Sequence, residues 1–166
     1  MNGRRVHEAY PVNPKYKYIG VTSCWPSLSE VPAKIDLAVF ATPSSKIEGL
    51  LKECKKLAIP NVLITPGDEE LTADRRWRER IAQMAREAGI RLIGPDSMGI
   101  MRPSIGLNVS YWPHLAQTGS IGLLCQSGAI TAAVLEYADR SGIGFSTVIS
   151  SGLESEVSLA EMIDFL

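Results

Sequence analysis

A doubly wound, parallel α/β fold is predicted by three features of the sequence. Nearly continuous apolar runs of strand length recur at 35–41 (IDLAVFA), 61–65 (NVLIT), 91–93 (RLI) and 120–125 (SIGLLC). Runs that do not alternate with polar residues are the mark of strands covered on both faces. Each run closes on a turn of proline, glycine or small polar residues, namely Thr42-Pro43, Pro66-Gly67, Gly94-Pro95 and Gln126-Ser127-Gly128. Segments of helical period follow most of these turns, and strand-helix-strand units with connections this short wind right-handed into parallel sheets.

Taken in order, residues 5–12 (RVHEAYPV) alternate loosely and stop at Asn13-Pro14, which reads as one strand and a turn. Residues 25–32 form a short helical turn with Ser27 as its cap. After the 35–41 strand, Ser44 or Ser45 caps a helix on which Ile47, Leu50, Leu51, Cys54 and Leu57 fall at helical spacing, so Cys54 reads as core. The unit repeats with strand 61–65 and a helix over 72–88, where Trp77, Ile81, Met84, Ala85 and Ala88 form one stripe and Gly89 is the stop. Residues 91–108 (RLIGPDSMGIMRPSIGLN) are the hinge of the chain. Past the strand end they carry no helical period, and they read as either a linker or a site. Strand 120–125 leads to a helix over 129–140 with Ile130, Val134 and Tyr137 spaced for burial. Strand 144–151 follows, and a helix starts over 156–166.

Composition narrows the function. The 166 residues are 45% hydrophobic and 21% charged, enough for one large or two small globular domains. A net charge of −1 does not advertise nucleic-acid binding. The basic groups Lys52/Lys55/Lys56 and Arg75/Arg76/Arg78/Arg80 sit beside acidic residues on helix-period segments and read as solvated faces. Apolar runs are too short to span a bilayer, Met1 begins no signal peptide, and Cys24, Cys54 and Cys125 have no metal-like spacing, so no membrane, no metal and a cytoplasmic location are expected.

Ligands of parallel sheets bind off the carboxyl ends of the strands. Those ends are Asn13-Pro14-Lys15, Thr42-Pro43-Ser44, Thr65-Pro66-Gly67 and Gly94-Pro95-Asp96-Ser97, a small, polar rim with one cation that reads either as turns or as ligand contacts. Ser127-Gly128 puts a hydroxyl and unpaired amides at the positive end of a helix, which reads either as an ordinary cap or as a site for phosphate or carboxylate. No histidine-plus-acid pair is placed to activate Ser127, and His7 and His114 read as ordinary histidines, so no catalytic residue is assigned.

Five strings in order, YPVNPKY at 10–16, LAVFATP at 37–43, IRLIGPDSMG at 90–99, IGLN at 105–108 and CQSGAI at 125–130, resemble the CoA-binding and first ligase-like domains of NDP-forming acyl-CoA synthetases. They are also similar to the synthetase-like region of bacterial protein lysine acetyltransferases fused to a GNAT domain, and more distantly to the succinyl-CoA synthetase alpha subunit. The resemblance implies a Rossmann-like CoA-binding domain over 1–103, a connection over 104–118 and the beginning of a flavodoxin-like succinyl-CoA ligase domain over 119–166. It implies that the parent joins an acid to CoA using a nucleoside triphosphate, through acyl phosphate and phosphohistidine. The alternative is a non-catalytic, regulatory acyl-CoA-binding module.

Residue by residue, the resemblance implies that Asn13 and Lys15 face a CoA phosphate and that Thr42, Pro43, Thr65 and Pro66 line the adenine and pyrophosphate region. Asp96 and Ser97 would approach the thioester end, and Ser127 and Gly128 would receive the phosphoryl or acyl-phosphate group. The chain departs from the family's pattern at Asp96-Ser97, where Asn-Cys is usual, and at Gly152-Leu153, where Gly-Asn is common; both changes weaken the case for an active ligase. A first strand with a glycine-rich turn is expected before Arg5. The phosphohistidine and ATP-grasp segments, where ATP or ADP would bind, are expected after the last residue, so the chain reads as an internal fragment. Weak CoA binding, completion by the remaining synthetase domains, an ATP-grasp subunit or a GNAT domain, and some self-association through unpaired strand edges are the corresponding expectations.

Overall fold

The computed structural model describes residues 8–166. Its elements in chain order are β1 (Tyr18–Ile19), β2 (Thr22–Ser23), β3 (Ala38–Phe40), α1 (Ile47–Lys56), β4 (Asn61–Ile64), α2 (Glu69–Ala73), α3 (Arg75–Ala88), β5 (Arg91–Ile93), β6 (Gly99–Arg102), β7 (Leu107–Ser110), β8 (Thr118–Cys125), α4 (Gly128–Ser141), β9 (Phe145–Ser150) and α5 (Leu159–Phe165). The architecture is mixed α/β with parallel strands at the apolar runs, as those runs predicted: one sheet is all parallel and a second is mixed.

The first sheet has the order β3-β4-β5, all parallel, with Val62 between Ala38 and Leu92 in register. Side chains alternate across it with period two. Ala38, Phe40, Val62, Ile64 and Leu92 face one layer, built with Ile47, Leu51 and Cys54 of α1 and Trp77, Ile81 and Ala85 of α3. Both helices present the stripes their spacing predicted, except that Leu57 lies past the end of α1 and is exposed. Cys54 is fully buried there, and burial pushes its thiol up to about 11, in keeping with a core residue. α3 stops at Gly89, which is left-handed at φ 68.

Several expectations are corrected. His7 and the start of the strand expected over 5–12 lie outside the described residues. Of the remainder Val12 alone pairs, in an isolated parallel bridge to Trp25, because Pro11 and Pro14 on either side lack the N–H that a ladder needs. The 35–41 run yields only Ala38–Phe40, and Val39 on its second face is 43% exposed rather than covered. Ser27 precedes a 3-10 turn (Leu28–Glu30) without capping it by its side chain, and its hydroxyl donates to Glu30 Oε1 at 3.0 Å instead. Neither Ser44 nor Ser45 caps α1. They lie in a 3-10 turn, and the buried Ser44 Oγ accepts the amide of Asp68 at 3.2 Å. The helix expected from Thr72 is two helices, broken at Asp74, whose carboxylate accepts the Arg76 amide and so caps α3.

The second sheet has the order β7-β6-β9-β8. β8 and β9 are parallel, with α4 between them in sequence, while β6 is antiparallel to both β9 and β7. Residues past the 91–93 strand, read from sequence as a segment without regular structure, therefore contain a hairpin (β6–β7) that joins a sheet whose other strands come from much later in the chain. Sequence period could not reveal it, since four-residue strands separated by a 3-10 turn (Pro103–Ile105) leave no long alternation to detect. On α4 the buried positions are Thr131, Leu135 and Ala138, whereas Ile130 and Tyr137 are exposed, which corrects the expected stripe by one residue. At its start the helix passes close to Met98, which a Cβ on Gly128 would approach to 3.1 Å. The last helix begins at Leu159 rather than near Glu156, fixed by a reciprocal capping box between Ser158 and Glu161.

The two sheets meet through α5 and residues 153–157. Ile93 of β5 packs with Ile149, Val157 and Met162, so the second face of the first sheet is covered in part by the second unit. Among the described residues no helix is long and apolar enough to cross a membrane.

Candidate functional site

The carboxyl ends of β4, β5 and β8 converge on an open cleft of about 720 Å³ between the two sheets. One wall is Pro66, Asp96 and Met98, with Tyr111 from beyond β7. The other is Gln126, Ser127, Gly128 and Ala129 at the start of α4, with Gly152 and Leu153 after β9.

Each wall is held by identifiable bonds. Ser97 is fully buried, donates to the carbonyl of Ser150 and accepts the amide of Gly99 at 3.0 Å, while Ser150 Oγ accepts the amide of Met98 at 3.2 Å. These bonds tie the turn after β5 directly to the end of β9. Gly152 completes the junction. Its φ is 63, and a Cβ there would lie 2.3 Å from the Pro95 carbonyl oxygen and 2.7 Å from the Asp96 carbonyl carbon, so only glycine allows the two backbones to touch. Asp96 itself is left-handed at φ 63, and Glu154 at φ 47, so two non-glycine residues in a sparsely populated conformation flank the cleft.

On the opposite wall Ser127 caps α4, its Oγ accepting the Ile130 amide at 3.3 Å. The amides of Gly128 and Ala129 precede the helix's own ladder and carry its positive end. Gln126 donates from Nε2 to Glu154 Oε1 at 2.7 Å. The lining residues include one carboxylate, the exposed one of Asp96, and the Tyr111 phenol, but neither lysine nor arginine. The backbone dipole of α4 is therefore the cleft's source of positive potential.

Of the sequence-predicted residues, Pro66, Asp96, Ser127 and Gly128 meet in this cleft. Ser97 stands behind its wall with its hydroxyl committed inside the protein. Thr65 is also buried; it donates to the Phe40 carbonyl at 3.0 Å and accepts from the Tyr111 hydroxyl at 3.3 Å. Thr42 and Pro43 sit at the end of β3, packed beside the Pro66-Gly67 turn through Ser44. Asn13 turns the backbone, its Oδ1 accepting the amides of Lys15 (2.9 Å) and Tyr16 (3.2 Å), and Lys15 is exposed. Neither residue lines the cleft, nor does His114. Met98, Tyr111, Gln126, Ala129, Gly152 and Leu153 line it without having been assigned a role from sequence. Gln126 and Gly152-Leu153 stood in the motifs as a signal. Tyr111 carried none, because nothing local tells a ring at a site from a ring in a loop.

Comparison with known proteins agrees with this fold. The CoA binding domain family matches residues 2–103, and the succinyl-CoA ligase like flavodoxin domain matches 118–166. Acetate–CoA ligase (ADP-forming) I of Archaeoglobus fulgidus is 32% identical over 95% of this chain and 23% of its own length. Its counterpart in Methanocaldococcus jannaschii is 34% identical over 94% of this chain and 22% of its own. The solved structure of dinucleotide forming acetyl-coenzyme A synthetase 1 from Ca. Korarchaeum cryptofilum, in complex with phosphate and ADP, superposes with a TM-score of 0.86 at 28% identity, over 94% of this chain and 34% of that one. The chain thus spans about a quarter of the length of the curated relatives it matches. It belongs to the NDP-forming acyl-CoA synthetase family, matching its CoA binding domain over 2–103 and its succinyl-CoA ligase like flavodoxin domain over 118–166.

Proposed function

We propose that this chain supplies the CoA-binding wall and the phosphate-receiving helix start of an acyl-CoA synthetase that makes acyl-CoA from an acid, CoA and a nucleoside triphosphate. The observation that carries the reading is the cleft itself: the strand ends of the CoA binding domain face the capped start of α4 across one open space. The amides of Gly128 and Ala129, with the Ser127 hydroxyl, stand where an acyl phosphate's phosphoryl oxygens would sit, and a helix N-terminus favours that charge. Met98, Tyr111 and Leu153 offer apolar surface beside it for the pantetheine arm and acyl group. In the transfer, the CoA thiolate attacks the acyl carbonyl, the carbon–oxygen bond to phosphate breaks, and phosphate leaves with the electron pair. The part of α4 is to hold the phosphate oxygens as that charge develops.

Lys15, close after Asn13, would meet a phosphate of CoA's nucleotide end as a point charge. The nucleotide and the phosphoryl-carrying histidine belong to other segments of such a synthetase. The relatives named above are ligases or synthetases, which favours this reading over an acetyltransferase module.

With a single cation among the assigned contacts, CoA is expected to bind weakly, with a dissociation constant on the order of 0.1–1 mM. A ¹H–¹⁵N NMR titration with CoA and with inorganic phosphate tests this. Both should shift Gly128 and Ala129, and Lys15→Ala should weaken CoA but not phosphate. No shift at the α4 start with either ligand at several millimolar would overturn the proposal.

A further inference from the structure

The cleft is lined from both sheets, by Pro66 and Asp96 at strand ends of the first and by residues flanking β6 to β9 of the second, and residues 153–157 join the two with a carboxylate directed to each side. The backbone of this segment runs along the outer edge of β5: Leu153 donates to the Pro95 carbonyl at 2.9 Å, Ser155 to Gly94 at 3.2 Å and Val157 to Leu92 at 3.2 Å. The amide of Leu92 points out of that edge, away from β4, and would be left unpaired. Glu156, whose side chain is 9% exposed, fills the gap, its Oε2 accepting the Leu92 amide at 2.9 Å. The same oxygen lies 3.9 Å from Arg91 Nε, and Arg91 reaches on to Glu161 of α5 at 2.9 Å. Two residues earlier, Glu154 turns the other way. It holds Gln126 of the α4 wall at 2.7 Å, Ser151 at 3.0 Å and the amide of Leu159 at 3.2 Å.

A neutral amide oxygen could also accept the Leu92 N–H, so pairing that donor does not by itself call for an acid at this largely buried position. The charge matches Arg91, on the strand that leads into the Asp96 wall. We propose that Glu156 is a positioning residue of the cleft: with Arg91 it clamps the 153–157 segment to β5 and thereby sets the separation between the Asp96 turn of the first sheet and the Gln126–Ala129 wall of the second. This rests on the ligand reading above only for what the cleft holds; the clamp can be tested without it.

The test uses the full 166-residue chain in three forms, Glu156→Ala, Glu156→Gln and Arg91→Ala, each titrated with inorganic phosphate and CoA while backbone and Gln126 side-chain amides are followed by ¹H–¹⁵N NMR. In Glu156→Ala, phosphate and CoA affinity should fall tenfold or more, and resonances of Gly128, Ala129 and the Gln126 amide should move although none touches Glu156. Val62 and Val148, in the two cores, should keep their positions. Glu156→Gln should recover about half of the loss, because it keeps the acceptor for Leu92 but not the partner for Arg91, and Arg91→Ala should resemble it. If changes stay confined to 91–93 and 155–157, Glu156 merely fills a local gap and the proposal fails. It fails equally if Glu156→Ala does not fold while Glu156→Gln and Arg91→Ala leave affinity and the α4 resonances untouched. If the parent chain binds neither ligand, the functional reading is the casualty, and the movement or stillness of Gly128, Ala129 and Gln126 still decides the clamp.

Discussion

The turn after β5 (94–98) and the turn after β8 (126–128) face the same cleft, yet they spend their polar groups differently. In the first, Ser97 is fully buried, its hydroxyl bonded to Ser150 and Gly99, and Asp96 is left-handed with its carboxylate in solvent. In the second, the Ser127 hydroxyl makes one cap bond, and Gly128 and Ala129 line the cleft at the start of α4. The same residue type, serine, is a structural pin on one wall and a candidate contact on the other. What separates them is whether another strand end lies within reach: β9 covers Ser97, whereas Ser127 stays partly exposed.

The largest effect should come from breaking the first wall at its junction. Gly152→Ala forces a side chain into a left-handed residue and against the Pro95 and Asp96 backbone, and it should cost about 2–5 kcal/mol, read as a fall in the urea midpoint. A midpoint within error of the parent would mean that the two loops separate freely.

Next, the serine pair separates the two roles. Ser97→Ala strands the Gly99 amide and should destabilise by about 1–3 kcal/mol without changing phosphate affinity beyond what unfolding explains. Ser127→Ala removes a cap, about 1 kcal/mol, and should weaken phosphate binding as well. Equal effects of the two substitutions on binding would erase the distinction drawn here.

Asp96→Asn sharpens the comparison at the first wall's exposed tip. Asparagine tolerates the left-handed conformation and adds a donor where the carboxylate offers acceptors alone. Phosphate and CoA should bind tighter by up to about 1 kcal/mol, the range of an exposed charge interaction, with stability unchanged. Weaker binding would give Asp96 a role that repulsion does not cover.

The smallest effect lies behind the walls, at α5. The Ser158 amide and the Arg91 guanidinium hold the Glu161 carboxyl down at about 2, from an ordinary 4.5. A depressed folded-state value means stability that is present above the unfolded value and is lost as pH falls through the folded one. The urea midpoint should therefore decline between pH 4.5 and 2 slightly more steeply in the parent than in Glu161→Gln. Because Glu161 is exposed, solvent screens most of this, and coincident pH profiles would show that the capping box alone sets the helix start.

Much of the molecule could be read from short-range pattern. The apolar runs that carry Val62 and Leu92, the helical spacing on α1 and α3, the stop at Gly89 and the cap at Ser127 are legible because strand runs, helix period and caps are decided by residues within a few positions of one another. Four of the ten predicted contact residues line the cleft, since strand ends and helix starts are local features too. The tertiary structure alone decided the rest. It recruited the 99–110 hairpin into the second sheet, turned Thr131 rather than Ile130 inward, and placed Tyr111 and Leu153 on facing walls. It also closed Ser97 behind Ser150, 53 positions away. Pairing over such distances depends on which edges and faces remain unsatisfied once every local element has formed, and that competition leaves no period in the sequence.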